Sequence, residues 1–183
     1  MKMLLFVCLI GCLQKATAQE DQSYVNLLNS TAEIQLTDSL YIKAEERQLN
    51  PLDTVDVKKW FSPVTGMANN NRLKNRGYYL AGKITSNNNF DLLVLIENKK
   101  KADSANVKVA YIVSFHKDGK YIAFLEVAVS GNRKKSNYNT SSWLYKDFKI
   151  MRDSKITVNE KSLNDLAIYK INGTGRFILY PNY

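Results

Sequence analysis

The stretch "VKVAYIVSFHKDGKYIAFLEVAV", Val107 to Val129, decides the fold. Val, Ile, Tyr and Phe dominate both arms, the composition that a pleated, half-buried surface prefers. Between them, Asp118-Gly119 supplies residues that accept positive φ and predicts a two-residue hairpin turn. That turn sets Phe115 opposite Ile122, Val113 opposite Phe124 and Tyr111 opposite Glu126, with Ile112 against Leu125 and Ala110 against Val127 on the other side. Both faces of the hairpin are apolar, so its strands belong in the middle of a sheet covered on each side.

Working outward, "FDLLVLIE" (90 to 97) is again apolar on both faces, and "YYLAGKITS" (78 to 86) precedes it. Beyond the hairpin come "WLYKDFKIM" (143 to 151), "KITVNE" (155 to 160), "LAIYKI" (166 to 171) and "RFILY" (176 to 180), with Asn172-Gly173 as the second-best turn. "SFHKDGKYIAF" and "KINGTGRFILY" share an order of residues that reflects common tight-turn chemistry, since one echo is not a steady repeat. Nearer the N-terminus, Ile34, Leu36, Leu40 and Ile42 alternate as one strand does, or as a hairpin if Asp38-Ser39 turns. Leu52 to Phe61 predicts a short helix, capped by Asp53 or Thr54 and ended by Ser62-Pro63, whose Trp60 and Phe61 cover the sheet. The expected fold is all-β or α+β, a mainly antiparallel meander of about eight or nine strands, as a sandwich or open barrel, with one short helix near 52–61.

Lys2 followed by the apolar run Met3 to Leu13 has the charge and length of a signal-peptide core, and Ala16-Thr17-Ala18 predicts cleavage before Gln19. Leu9-Ile10-Gly11-Cys12 resembles the lipobox of bacterial lipoproteins, in which the Cys is acylated and becomes the N-terminus. The expected organisation is a signal peptide over 1–18, a polar segment over 19–31 and a single β-rich domain over 32–183. The expected address is exported: periplasmic, cell-surface or secreted. Cys8 and Cys12, the two cysteines of the chain, both fall in the leader, so a disulfide framework is excluded.

The formal charge of +9 falls only to +7 when Lys2 and Lys15 leave with the leader, so the base excess belongs to the domain. An anionic partner follows from that balance. Nucleic acid does not, because no RNP-like aromatic pattern, zinc knuckle or recognition helix accompanies the charge. In an up-and-down meander the short turns, at 87 to 89, 117 to 119, 152 to 154 and 172 to 175, share one end. The long connections then share the other, bringing together Arg72, Lys74 and Arg76; Lys99, Lys100 and Lys101; and Arg133, Lys134 and Lys135, with Tyr138 and Trp143 beside the last. Such an end suits phosphate or carboxylate groups.

Signals for catalysis are weak. His116, the single histidine, has no ligand-spaced Cys, His or acidic neighbours, and metal and cofactor sites are not expected. Glu126, set among Phe124, Leu125 and Val127 and opposite Tyr111, is the candidate buried carboxylate. No nucleophile elbow, P-loop, zincin helix or paired-carboxylate motif occurs. The expected function is that of an exported, non-enzymatic binding protein of a bacterial envelope. Its ligand would be anionic, a lipid head group or an acidic glycan, held at the basic loop end, with membrane association only if Cys12 is lipidated. The alternative is a protein–protein interaction module or inhibitor that pairs through a sheet edge.

Overall fold

A computed structural model describes residues 22–45, 49–66, 73, 75–85, 89–101 and 105–181. Residues 1–21, with the readings at Cys12 and Ala18, lie outside the described residues. Among the described residues, helices α1 (Gln22–Asn29) and α2 (Thr54–Thr65) accompany ten strands. These are β1 (Glu33–Gln35), β2 (Ser39–Ile42), β3 (Gly77–Thr85), β4 (Phe90–Lys101), β5 (Ala105–His116), β6 (Tyr121–Arg133), β7 (Ser136–Tyr145), β8 (Lys149–Val158), β9 (Lys161–Ile171) and β10 (Phe177–Tyr180). They form one mainly antiparallel sheet in the order β1-β3-β4-β5-β6-β7-β8-β9-β10, with β2 paired to β7 off that path. The meander expected from the sequence is thus the architecture found, and β1 and β10 leave it open at both edges.

The central strands β4 and β5 are covered on both faces, as their two-sided apolarity requires. On one face, Tyr24 and Leu27 of α1 and Val57, Trp60, Phe61 and Val64 of α2 pack on Leu93, Leu95, Val109, Tyr111, Val113 and Phe115. On the other, the sheet covers itself: Leu92, Val94, Ala110 and Ile112 share a core with Ile42, Leu144, Ile150 and Ile171. Helix α1 was not expected. Its residues fall in the segment read as polar, but Tyr24 and Leu27 stand three apart and bury one face of a single short helix. Helix α2 starts where Asp53 caps it, accepting from the Asp56 amide at 2.8 Å. It runs past Pro63, which removes only one late hydrogen bond, and stops at Gly66 in the left-handed conformation.

Ile34, Leu36, Leu40 and Ile42 all face the second core, as their alternation implies. They make neither one strand nor a hairpin. Instead β1 pairs parallel with β3, and β2 crosses to pair antiparallel with β7. Room for β2 exists because β6 and β7 pair only from Val129–Arg133 to Ser136–Thr140 and then part. Where they part, side chains take over the carbonyls of β6: Ser142 donates to the Val127 oxygen at 2.5 Å and Arg152 to that of Glu126 at 3.4 Å. Buried backbone acceptors are thereby satisfied without a ladder.

The turns correct the expected register. At β5–β6 the His116 amide donates to the Lys120 oxygen and the Gly119 amide to the His116 oxygen, with Gly119 at φ +85°. This is a three-residue connection, not a two-residue one, so Phe115 meets Tyr121 and not Ile122. A bulge shifts Ala110 opposite Ala128, while Val113–Phe124, Ile112–Leu125 and Tyr111–Glu126 are as expected. Asn172 to Arg176 repeats the same bonds with Gly175 at φ +80°, which explains the sequence echo as shared turn geometry. The turn expected at 152–154 lies at Lys146-Asp147-Phe148, and residues 152 to 154 are strand interior.

Candidate functional site

At the end of the sheet that carries the β4–β5, β6–β7 and β8–β9 connections, cross-strand register lines up Lys101, Ala105, Arg133, Ser136, Val158 and Lys161. Two of the clusters read from the sequence are therefore brought to one margin, and Lys161, which the sequence reading omitted, joins them. Adjacent strands stand about 4.8 Å apart, so Lys101 and Arg133 start from backbone positions about 10 Å apart. The β6–β7 connection is not a long loop. It is the two-residue turn Lys134-Lys135, with Lys134 at φ +54°. The Asn159 amide of the neighbouring turn donates to the Lys135 oxygen at 3.2 Å, tying the two turns together. Arg133, Lys134 and Lys135 are exposed and carry no side-chain partner among the described residues. Glu160 adds one exposed carboxylate to this end. Lys99, opposite Val107, is half-buried.

Arg72 and Lys74 lie outside the described residues, as do the side chains of Lys100 and Lys101. Arg76 is not a free loop charge: half-buried, it pairs with Glu97, which is 1% exposed. Tyr111 donates to the same carboxylate at 2.9 Å and Tyr78 at 3.3 Å. Burial, and then the Glu97 charge, push both phenols well above the usual tyrosine range. Burial alone disfavours the Arg76 charge, but Glu97 outweighs it and raises the guanidinium further. Glu97 is thus a buried carboxylate, as is Asp91, while Glu126 is half-buried at the margin of the helix-covered face. Glu97 escaped detection because it ends an apolar run, and the "NKKK" that follows reads as a loop although β4 continues through it.

Tyr138 stands opposite Gly131 and packs half-buried at the rim of the helix-covered core, so it borders the basic turn. Trp143 does not. It sits near the far end of β7, paired with Tyr41 and Met151, because the residues read as a long connection are strand β7 itself. Among the described residues no cluster of three His, Cys, Asp or Glu is arranged to hold a metal ion. Compared with known protein families, curated proteins and solved structures, the chain matches none.

Proposed function

We propose that this chain is an exported, non-enzymatic binding protein that holds an anionic ligand, a phosphate- or carboxylate-bearing envelope component, at its basic turn end. The observation that supports the reading most is the contrast between two kinds of cation there. Arg76 is consumed by Glu97 inside the fold, whereas Arg133, Lys134 and Lys135 are exposed without carboxylate partners. Unpaired cations grouped on adjoining turns raise local anion concentration together. The test replaces Arg133, Lys134 and Lys135 with Gln and measures binding to anionic phospholipid vesicles. Each exposed charge contributes about 0.5 kcal/mol, so affinity at low salt falls about tenfold with melting unchanged. Unchanged affinity for the vesicles overturns the reading. Export is tested by intact mass, with Gln19 as the expected first residue and an acylated Cys12 as the contrary result.

One observation favours a second reading, partner binding by strand addition. Strand β10 pairs only with Ile168–Ile171, so no described strand flanks Lys161–Asp165 of β9 on that side, and Leu163 there is 68% exposed. Such pairing is insensitive to salt.

A further inference from the structure

On the outer face of the β2-β7-β8-β9-β10 half of the sheet, Tyr41, Trp143, Met151, Ile168 and Tyr180 are successive cross-strand neighbours. Four strand-to-strand steps make this row about 19 Å long. The residues of opposite parity, Leu144 and Ile150, are fully buried in the second core, so the row points away from it. Its aromatic members are unusually open for their size: Tyr41 is 43% exposed, Trp143 40% and Tyr180 51%. The Tyr41 and Trp143 rings lie 4.6 Å apart at an interplanar angle of 32°, forming one nearly continuous π surface. Large apolar groups kept at the surface in a line are the informative exception to burial.

The flanks of the row differ. On one side Lys149 and Lys170 stand directly opposite each other, and neither side-chain ammonium pairs with a carboxylate among the described residues, although the Lys149 backbone amide donates to Asp147 at 3.2 Å. Like charges in that relation destabilise a sheet, a cost that an anion laid between them would offset. On the other side Ser141 and Asp153 are opposite each other, with the Ser141 hydroxyl accepting from Tyr41 at 3.1 Å. Open hollows of about 450 Å³, lined by Lys170, Ile178 and Tyr180, and about 350 Å³, where Lys146 and Lys149 stand with Asp38, Asp147 and Tyr145, adjoin the lysine flank.

We propose that this face is a glycan-binding platform for a chain of acidic sugars. The C–H faces of sugar rings meet the electron-rich faces of Trp143 and Tyr41, sugar hydroxyls donate to Asp153, and sugar carboxylates meet Lys149 and Lys170. A second copy of the chain fits the face less well, since joining two such faces adds like charge to like. A lipid surface has no use for Asp153. The platform is separate from the basic turn end and does not rest on it.

The test titrates the purified chain with a short oligogalacturonate, a neutral dextran oligomer and anionic phospholipid vesicles, following tryptophan emission and heat. Of the two tryptophans Trp60 is buried and Trp143 exposed, so a blue shift on binding reports the platform. The expected result is saturable binding of the acidic oligomer with a blue shift, at least about tenfold tighter than the neutral one. Trp143→Ala and Tyr41→Ala, both at exposed positions, should each weaken it about tenfold or more while melting changes little. Lys149→Gln with Lys170→Gln should erase the preference for acidic over neutral sugar. Substituting Arg133, Lys134 and Lys135 should leave the blue shift intact, which separates this site from the basic end. Absence of acidic-oligomer binding, or binding indifferent to Trp143→Ala and Tyr41→Ala, overturns the proposal. So does finding that these substitutions instead abolish vesicle binding or self-association in sedimentation.

Discussion

At the scale of single residues, Glu97 and Arg76 carry more consequence than their place at a strand end implies. A buried charge that loses its partner costs about 3 to 5 kcal/mol, so Arg76→Ala should destabilise by that amount in a denaturant titration, far more than removing an exposed loop charge. The pH dependence follows from the phenols. Burial first, and then the Asp91 or Glu97 charge, raise Tyr24, Tyr78 and Tyr111 above the ordinary value of 10.0. A phenol raised in the folded state keeps its proton where the unfolded chain has lost it. The stability this gives is complete below about pH 10 and is lost as pH rises further. Melting temperature should therefore fall steeply above pH 10, and Tyr111→Phe should flatten that fall. Sequence alone set Glu126 of β6 opposite Tyr111 and did not weigh Glu97, which reaches the same phenol from β4. Both acids lie on the Tyr111 face, so alternation does not rank them.

At the scale of elements, the strands rich in β-branched and aromatic residues were legible, and β7 was not. Its first half, "SNYNTSS", is polar because the described outer-face residues Asn137 and Asn139 are exposed there, while only Thr140 and Ser142 are buried. Pairing with β8 from Ser136 to Leu144 defines the strand, and the signal for it is non-local. The β5–β6 and β9–β10 hairpins were found, but not the length of the first turn, because one residue more or less changes little in composition, and the hairpins that flank β7 were misplaced with it. Gly131 makes the close β5–β6 approach possible: at φ +112° a Cβ would meet the Asn106 carbonyl oxygen at 1.8 Å. Gly131→Ala should thus destabilise by about 3 kcal/mol, combining backbone strain with a displaced strand, and lower the melting temperature by roughly 6 to 12 °C. The check is a thermal melt against a neighbouring control such as Ser130→Ala.

At the scale of the whole molecule, coverage of the central hairpin on both faces was readable from its two apolar sides, and so was the helix that supplies Trp60 and Phe61. Trp60, 6% exposed against Tyr24 at a ring distance of 5.3 Å, belongs to the core between helices and sheet. Trp60→Ala should cost about 3 to 5 kcal/mol, measured by chemical unfolding. The insertion of β2 between the parting strands β6 and β7 was not readable, since four residues give no clue to a partner about 100 positions away. Meander parity, which sets alternate connections at the same end, survives all the local corrections. It brings the cations of β4–β5 and β6–β7 to one margin, and the functional reading depends on that margin acting as a unit. The most direct test is the salt dependence of wild-type binding to anionic phospholipid vesicles, between about 0.01 M and about 1 M salt, where the screening length falls from about 30 Å to about 3 Å. Affinity should drop steeply across that range, and the drop should shrink when Arg133, Lys134 and Lys135 are replaced with Gln. Binding that is flat across the range, or equally steep without those three residues, would contradict the proposed role of the basic end.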